Sequence, residues 1–449
     1  MSEKKITMFQ KVVWNLPSLT SNGLWGIMAG YLTYYLTQSV LLSSASVGGI
    51  LMASKIFDGF TDLIAGYIIE KTNSKWGKGR PYSLFASVAW VFIILIFAVP
   101  SFFSTTAKLT YVFVCYTLIN SVALTFFNCS EQVYMLRAMP NEKDKSSTLA
   151  IGGAIVTYGS TILAIAMPII ITTLCAKKQG WTVLALAMGI PSIILAALRF
   201  VFVKEIPFTN ETNDTAKKTK VSVLDMIKHI IGNKYVLICL GLVFFYYFNS
   251  NLGTIVTGYY FTYNVGNLTL LSIISATALI TPIFLLFIPK MLEKWGKTKV
   301  LKMGLLCNLI ACIVRALAPL NLVLYAITSL VCSFGTLPMV YFIRLLLMDC
   351  MDYGEWKMKY RVESAYSAVS SAGQKISAGV ASGVAGLIMG ATGFVSGADT
   401  QSTLAMAGIK GLTIYAPIIV GVILFVLISV YKLDDKMDQI KKEIGQNRE

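Results

Sequence analysis

The stretch IFDGFTDLIAGYIIEKTNSKWGKGRPY (Ile56–Tyr82) joins an apolar run to a basic, glycine-containing turn. The apolar run reads as membrane-embedded, yet it carries Asp58 and Asp62, and Lys55 stands just before it. A bare charge inside a bilayer is costly, so ionisable residues there point by default to a functional site. The basic turn that follows has a shorter echo later in the chain, EKWGKTKV (Glu293–Val300).

The rest of the chain fits a membrane setting. Of its 449 residues, 56% are hydrophobic and 13% charged; a soluble domain carries about 25% charged residues. Apolar runs of roughly twenty residues recur from end to end, and the short alternating segments of a β-barrel are absent. Hydropathy predicts about twelve spans, at 16–37, 46–70, 82–103, 109–136, 147–174, 180–203, 235–263, 268–289, 299–317, 320–348, 364–392 and 409–431. The expected fold is therefore an all-α integral membrane protein of two six-helix bundles. The bundles are 1–203 and 235–431, joined by a polar middle loop at 204–234 and followed by a short tail at 432–449. Within the middle loop, helical spacing from Val221 to Ile231 predicts a segment on the membrane surface. The echo reinforces the two-bundle reading, because its two copies follow the second and the eighth spans, equivalent places in the two halves.

Orientation follows from Lys and Arg. One set of connections is basic, with Lys71, Lys75, Lys78 and Arg80, then Arg137, Lys143 and Lys145. Lys290, Lys294, Lys297 and Lys299 continue the series, as do Lys357, Lys359 and Arg361. The opposite connections, such as TQSVLLSSAS and TYNVGNLT, carry no charge. Both termini are expected to be cytoplasmic, in a multi-pass protein of the cell membrane. The polar start MSEKKITMFQK shows no cleavable signal pattern, so the first span is expected to direct insertion itself. The formal charge of +16 is accounted for by these loops and needs no nucleic-acid partner. The eight cysteines form no CxxC pair and the sole histidine is His229, so no metal centre and no bound cofactor are expected.

Asp58 and Asp62 are four residues apart, on one helix face, with Lys55 and Thr61 near the same stripe. Two close carboxylates in a low dielectric repel, so either a cation sits with them or one takes up a proton. Lys55 offsets one charge, leaving a site suited to a single monovalent ion, Na⁺ or H⁺. In the fourth span, LTFFNCSEQVYMLR places Thr125, Asn128 and Glu131 on one face, with Gln132 beside them. Thr125 offers a neutral oxygen to a cation; Asn128, Glu131 and Gln132 offer hydrogen bonds to a polar solute. Asn22 in the first span is a further solute candidate, and Tyr31 is either a stacking surface or an interfacial aromatic. Lys375 in the eleventh span needs an acid or a cavity. Arg344 with Asp349 reads as a gate salt bridge. Enzyme motifs are missing: there is no GxSxG, HExxH or phosphate loop, and no second apolar segment offers a Gly-flanked aspartate to complete an aspartic protease.

Two stretches, FDGFTDLIAGYIIEKTNSKWGKGRPY and MDCMDYGEWKMKYRVESAYSAVSSAGQK, resemble the signatures of the glycoside–pentoside–hexuronide:cation symporters. This is the family of the melibiose permease, within the major facilitator superfamily. The resemblance implies Asp58, Asp62 and Thr125 at a cation site, Lys55 beside it, and Lys375 near both cation and sugar. It also makes Asp352, Glu355, Arg361 and Glu363, with Arg344 and Asp349, part of a gate or cytoplasmic motif. The chain departs from the galactoside pattern at Asn22 and Asn128, where aspartates are expected, and at Gly152 or Gly153, where an arginine is expected. The function implied is uptake of a sugar or glycoside with Na⁺ or H⁺ by a monomer. Two alternatives are a cation-coupled carrier of an amphipathic or anionic solute, lysophospholipid-like, and a sensor that binds without transporting.

Overall fold

In a bilayer every backbone N–H and C=O must find its partner within the protein, which leaves helices as the way for apolar runs of this length to cross. The computed structural model describes residues 6–72, 74–139, 141–175, 178–205, 232–285, 287–358 and 363–446, and each of the twelve predicted spans falls on helix. The helices are α1 (8–38), α2 (Ser44–Lys71), α3 (80–96), α4 (Thr105–Ala138), α5 (Glu142–Leu174), α6 (Lys178–Phe202) and α7 (Lys234–Asn264). They continue as α8 (270–285, resuming at Ile288–Trp295), α9 (Lys297–Leu317), α10 (Leu322–Met358), α11 (Glu363–Ala391) and α12 (Thr403–Val430). The tail adds α13 (Asp434–Gln446). Among the described residues, seven of these meet, by length and composition alone, the demands of a membrane crossing. The predicted surface segment at Val221–Ile231 lies outside the described residues.

One boundary differs usefully from expectation. The tenth span was expected to end at 348, but α10 has 37 residues and ends at Met358. At 1.5 Å per residue it is about 55 Å long, well beyond a hydrocarbon core of about 30 Å. Its last turns, with Asp349, Asp352 and Glu355, therefore project beyond the apolar layer. There Trp356 donates its ring N–H to Glu443 of α13 at 2.6 Å.

Packing groups the chain into two compact units that interleave along the sequence. The first draws on 1–212, 254–276 and 382–408, the second on 213–253, 277–381 and 409–449. In the first, α1 lies against α5 and α6, and α2 against α4. In the second, α9 packs on α10 and α12.

The repeated turn explains how each unit is tied at its basic side. After α2, the backbone N–H groups of Lys78, Gly79 and Arg80 all donate to the carboxylate of Glu205, at 2.8, 2.7 and 2.5 Å. Glu205 follows the end of α6 by three residues. The Arg80 guanidinium caps the same helix end, donating to Phe200 O at 2.8 and 2.6 Å. After α8, the N–H of Thr298 donates to Asp434 at 3.3 Å, and its hydroxyl bonds the same carboxylate. Asp434 follows the end of α12 by four residues. In the two motifs, WGKGR (76–80) and WGKTK (295–299), Gly79 and Thr298 hold the same place. Each motif turns at a glycine with positive φ, Gly77 at 117° and Gly296 at 73°, a region open to glycine because it lacks a Cβ. The echo in the sequence is thus an echo in structure, with an acid from the last element of each half gripping the turn.

A carboxylate that accepts three backbone N–H groups is a strong local tie, since bonds to charged groups contribute about 1.5–3 kcal/mol. Glu205→Ala is therefore expected to lower the thermal unfolding midpoint measured by intrinsic fluorescence in detergent. An unchanged midpoint would show that the turn is held by something else.

Candidate functional site

The site begins with a local irregularity. In α4, residues Leu118–Leu124 form a widened π turn, a feature found mostly at functional positions. The Thr125 hydroxyl donates to the carbonyl of Asn120, five residues back, at 3.0 Å. The widened turn presents Asn120 and Thr125 together toward α2.

Lys55, Asp58, Asn120 and Thr125 meet there, and all four are buried. The Lys55 ammonium lies 3.6 Å from one oxygen of Asp58 and donates to Asn120 Oδ1 at 2.8 Å. It also stands 5.0 Å from the ring centre of Trp25 and 5.6 Å from that of Tyr116, within cation–π range. The other Asp58 oxygen lies 3.3 Å from the Thr125 hydroxyl, whose one proton it shares with Asn120 O. Thr61, one turn on, gives its hydroxyl to Asp58 O at 3.0 Å. Asp62 continues α2 one turn beyond Asp58; its side chain lies outside the described residues. Carboxylate and hydroxyl oxygens are the ligands that hard cations prefer.

The sequence brought forward Lys55, Asp58 and Thr125, and the structure places them together. Asn120, Trp25 and Tyr116 were not anticipated. Asn120 is a polar residue in a spanning helix, and that was the signal available.

The solute candidates sort differently. Asn22, Asn128 and Gln132 are all exposed, and Trp25 and Gly26 share the exposed face of α1 with Asn22. An amide turned to lipid would be unsatisfied, so this face suits an aqueous cavity. The Asn22 amide N–H donates back to Ser18 O at 2.8 Å, which leaves its oxygen outward. Tyr31 is buried within a second π turn, Met28–Leu32. Glu131 is engaged by a partner the sequence reading overlooked. Its carboxylate lies 2.9 Å from Arg199 of α6, which is wholly buried. Arg199 also lies against the rings of Trp14, Tyr134 and Phe127, at 4.0, 4.9 and 5.4 Å. An arginine held this way needs a carboxylate, and Glu131 is that carboxylate. Gly152 has a packing reason: a Cβ there would strike the Asn15 side chain, which is fixed by donating to Thr148 O at 3.0 Å. Gly153 faces open space.

In the second unit Lys375 is half-buried on α11. Asp349 is paired with Lys297, whose ammonium also lies 3.4 Å from Asp434. Asp349 thus belongs to the WGKTK clamp; a salt bridge with Arg344 was also expected, and the Arg344 side chain lies outside the described residues. Asp352 and Glu355 are half-buried on α10. Arg361 lies outside the described residues; Glu363 opens α11, its side chain likewise not described. Arg315 is held across to α10 by the hydroxyls of Thr328 and Ser329, each at 3.0 Å.

Comparison with known proteins agrees with this architecture. The family described as MFS/sugar transport protein matches residues 14–435. The chain belongs to that family, the glycoside–pentoside–hexuronide:cation symporters of the major facilitator superfamily, whose members are transporters rather than enzymes. The isoprimeverose transporter of Lactiplantibacillus pentosus is 26% identical over 432 residues, covering 95% of this chain and 88% of that relative. A putative sulfoquinovose importer of Escherichia coli (strain K12) is 25% identical over 453 residues, covering 99% of this chain and 95% of that relative. The crystal structure of the nucleoside transporter NupG superposes with a TM-score of 0.66 at 14% identity, covering 95% of this chain and 100% of that one. At that identity the likeness is one of fold.

Truncating the acceptor of a buried ammonium leaves that charge short of a partner, at a cost of about 1–3 kcal/mol or more. Asn120→Leu is therefore expected to lower the unfolding midpoint, and more so than Asn22→Leu on the exposed face. Equal midpoints for the two variants would remove Asn120 from the cluster.

Proposed function

We propose that this protein is a symporter that couples a monovalent cation, Na⁺ or H⁺, to uptake of a sugar or glycoside by alternating access. The observation that carries this reading is the buried cluster of Lys55, Asp58, Asn120 and Thr125, with Asp62 one turn away. On this reading Asp58, Asp62 and Thr125 bind the cation, with Thr61 beside them, and Lys55 sets the charge so that one monovalent ion completes it. Asn22, Asn128 and Gln132 meet the solute. Amides both donate and accept, as sugar hydroxyls do, and a neutral amide face suits a polyhydroxylated solute. Glu131 acts through Arg199 by holding the face in place. Relatives named for isoprimeverose and sulfoquinovose support the class of solute without selecting one.

The coupling follows from charge. On this reading an acidic site without its cation makes closing over solute costly, and a bound cation removes that cost. Contacts within the first unit at the charge-poor ends of the helices support a closed end there. Thr37 of α1 bonds Tyr259 of α7 at 2.7 Å, and Tyr263 donates to Gln38 at 2.6 Å. Gly48 of α2 and Gly386 of α11 meet backbone to backbone, so that a Cβ on Gly48 would come within 2.6 Å of Ser382 O. The basic connections are proposed to face the cytoplasm, which makes this end the outer one.

Uptake into proteoliposomes, with a panel of sugars, glycosides and lysophospholipids and with Na⁺ or a proton gradient, tests the reading. Wild-type uptake of a sugar or glycoside is expected to depend on the cation, and Asp58→Cys or Asp62→Cys is expected to abolish that dependence. Cation dependence that survives both substitutions would refute the assignment. Saturable binding without uptake would make the protein a sensor.

Gly386→Val tests closure separately. Overpacking of this kind costs about 1–3 kcal/mol, enough to disfavour the closed end about 5- to 150-fold. Transport is expected to fall while solute binding persists. Full transport by the variant would show that Gly48 and Gly386 need not meet.

A further inference from the structure

The second unit carries a groove that the transport reading does not use. Where α8 breaks and resumes as Ile288–Trp295, a cavity of about 510 Å³ opens against α9 and α10. Its walls are Phe284, Phe287, Met291, Met303 and Phe334. Phe284 and Phe334 meet edge to face, their ring centres 4.9 Å apart. Behind Met291, Met303 and Phe334 a narrower void of about 50 Å³ continues inward beside Gly304 and Pro338. Among the described residues, the charged ones lining the groove are Lys290 and Lys294, both cationic and exposed. They are four apart on one helix, so they stand side by side. Phe287 and Met303 are 52% and 44% exposed, so the groove opens sideways and is not sealed inside the protein.

We infer that this groove binds a phospholipid with an anionic headgroup, its phosphate between Lys290 and Lys294 and an acyl chain along the aromatic and methionine wall. Three observations select that occupant. The groove lies where the apolar run of α8 gives way to the basic connection, which is the boundary between hydrocarbon and water. Trp295 lines it at that level, as tryptophans do at membrane interfaces. Its charge is wholly positive over an apolar floor, complementary to an acidic head on a hydrocarbon tail, and basic pockets between spanning helices suit such headgroups. Glu293, the acid of the same helix, is not part of the wall. A soluble anion would find no use for the floor, and a neutral sugar none for the lysines.

The test uses the full chain in nanodiscs of mixed phosphatidylcholine and phosphatidylglycerol, released and weighed by native mass spectrometry. The wild type is expected to retain one phosphatidylglycerol more firmly than phosphatidylcholine. The double variant Lys290→Gln/Lys294→Gln is expected to hold it on the order of thirtyfold more weakly, the product of two surface-lysine contributions. Met303→Trp, which fills the floor and leaves both lysines, is expected to weaken it as well. Excess glycerol phosphate, the head without the tails, is expected to leave the lipid in place. Equal phosphatidylglycerol retention by wild type and both variants would overturn the inference. So would displacement by glycerol phosphate, which would make the site one for a free anion.

Discussion

The ion pair between Lys55 and Asp58 is the constraint around which the first unit is organised. Both groups sit inside a helix that crosses the membrane, and neither is tolerable there alone. The neighbouring helix supplies what the pair lacks: Asn120 accepts from the ammonium, and the Thr125 hydroxyl shares its proton with the carboxylate. Those contacts require the widened turn of α4, because a regular helix would point Asn120 and Thr125 elsewhere. A small distortion in one helix thus answers a charge in the next. On the proposed reading this buried pair, with Asp62 one turn further along the same helix, forms part of a coupling device that a mobile cation completes.

A second constraint keeps each unit rigid enough for such coupling to act at a distance. The WGKGR turn is gripped by Glu205 and the WGKTK turn by Asp434, in equivalent places of the two halves. In both, backbone N–H groups or a hydroxyl point at a carboxylate that arrives from the end of the sixth or twelfth span. These ties sit at the basic side. At the opposite end, small residues such as Gly48 and Gly386 permit backbone contact that is easily made and broken. Rigid ties at one end and a smooth, side-chain-free contact at the other suit a protein that opens and closes.

Much of this was legible in the sequence. Hydropathy located the helices, each of the twelve predicted spans falling on one, because the bilayer's demand for an apolar run of sufficient length leaves little freedom. Lys55, Asp58 and Thr125 stood out because polar groups in apolar helices are rare. Arg199 did not stand out, because its partner Glu131 lies 68 residues away and its burial depends on three rings from α1 and α4. Glu205 and Asp434 were hidden for the same reason: an acid near a helix end looks like any loop acid until the fold carries a distant turn to it. Lys297 was hidden likewise, because only the fold brings it from another helix to Asp349. Local pattern reveals which residues are costly where they stand; only the crossing of helices reveals what compensates them.

The central claim is that cation and solute bind cooperatively at this site. Calorimetric titration of the purified protein with its transported solute, in the presence and absence of Na⁺ and at two pH values, tests it most directly. The account predicts that the cation raises solute affinity, that solute raises cation affinity by the same factor, and that Asp58→Asn removes both effects. Solute binding of equal strength with and without Na⁺ and at both pH values would contradict it.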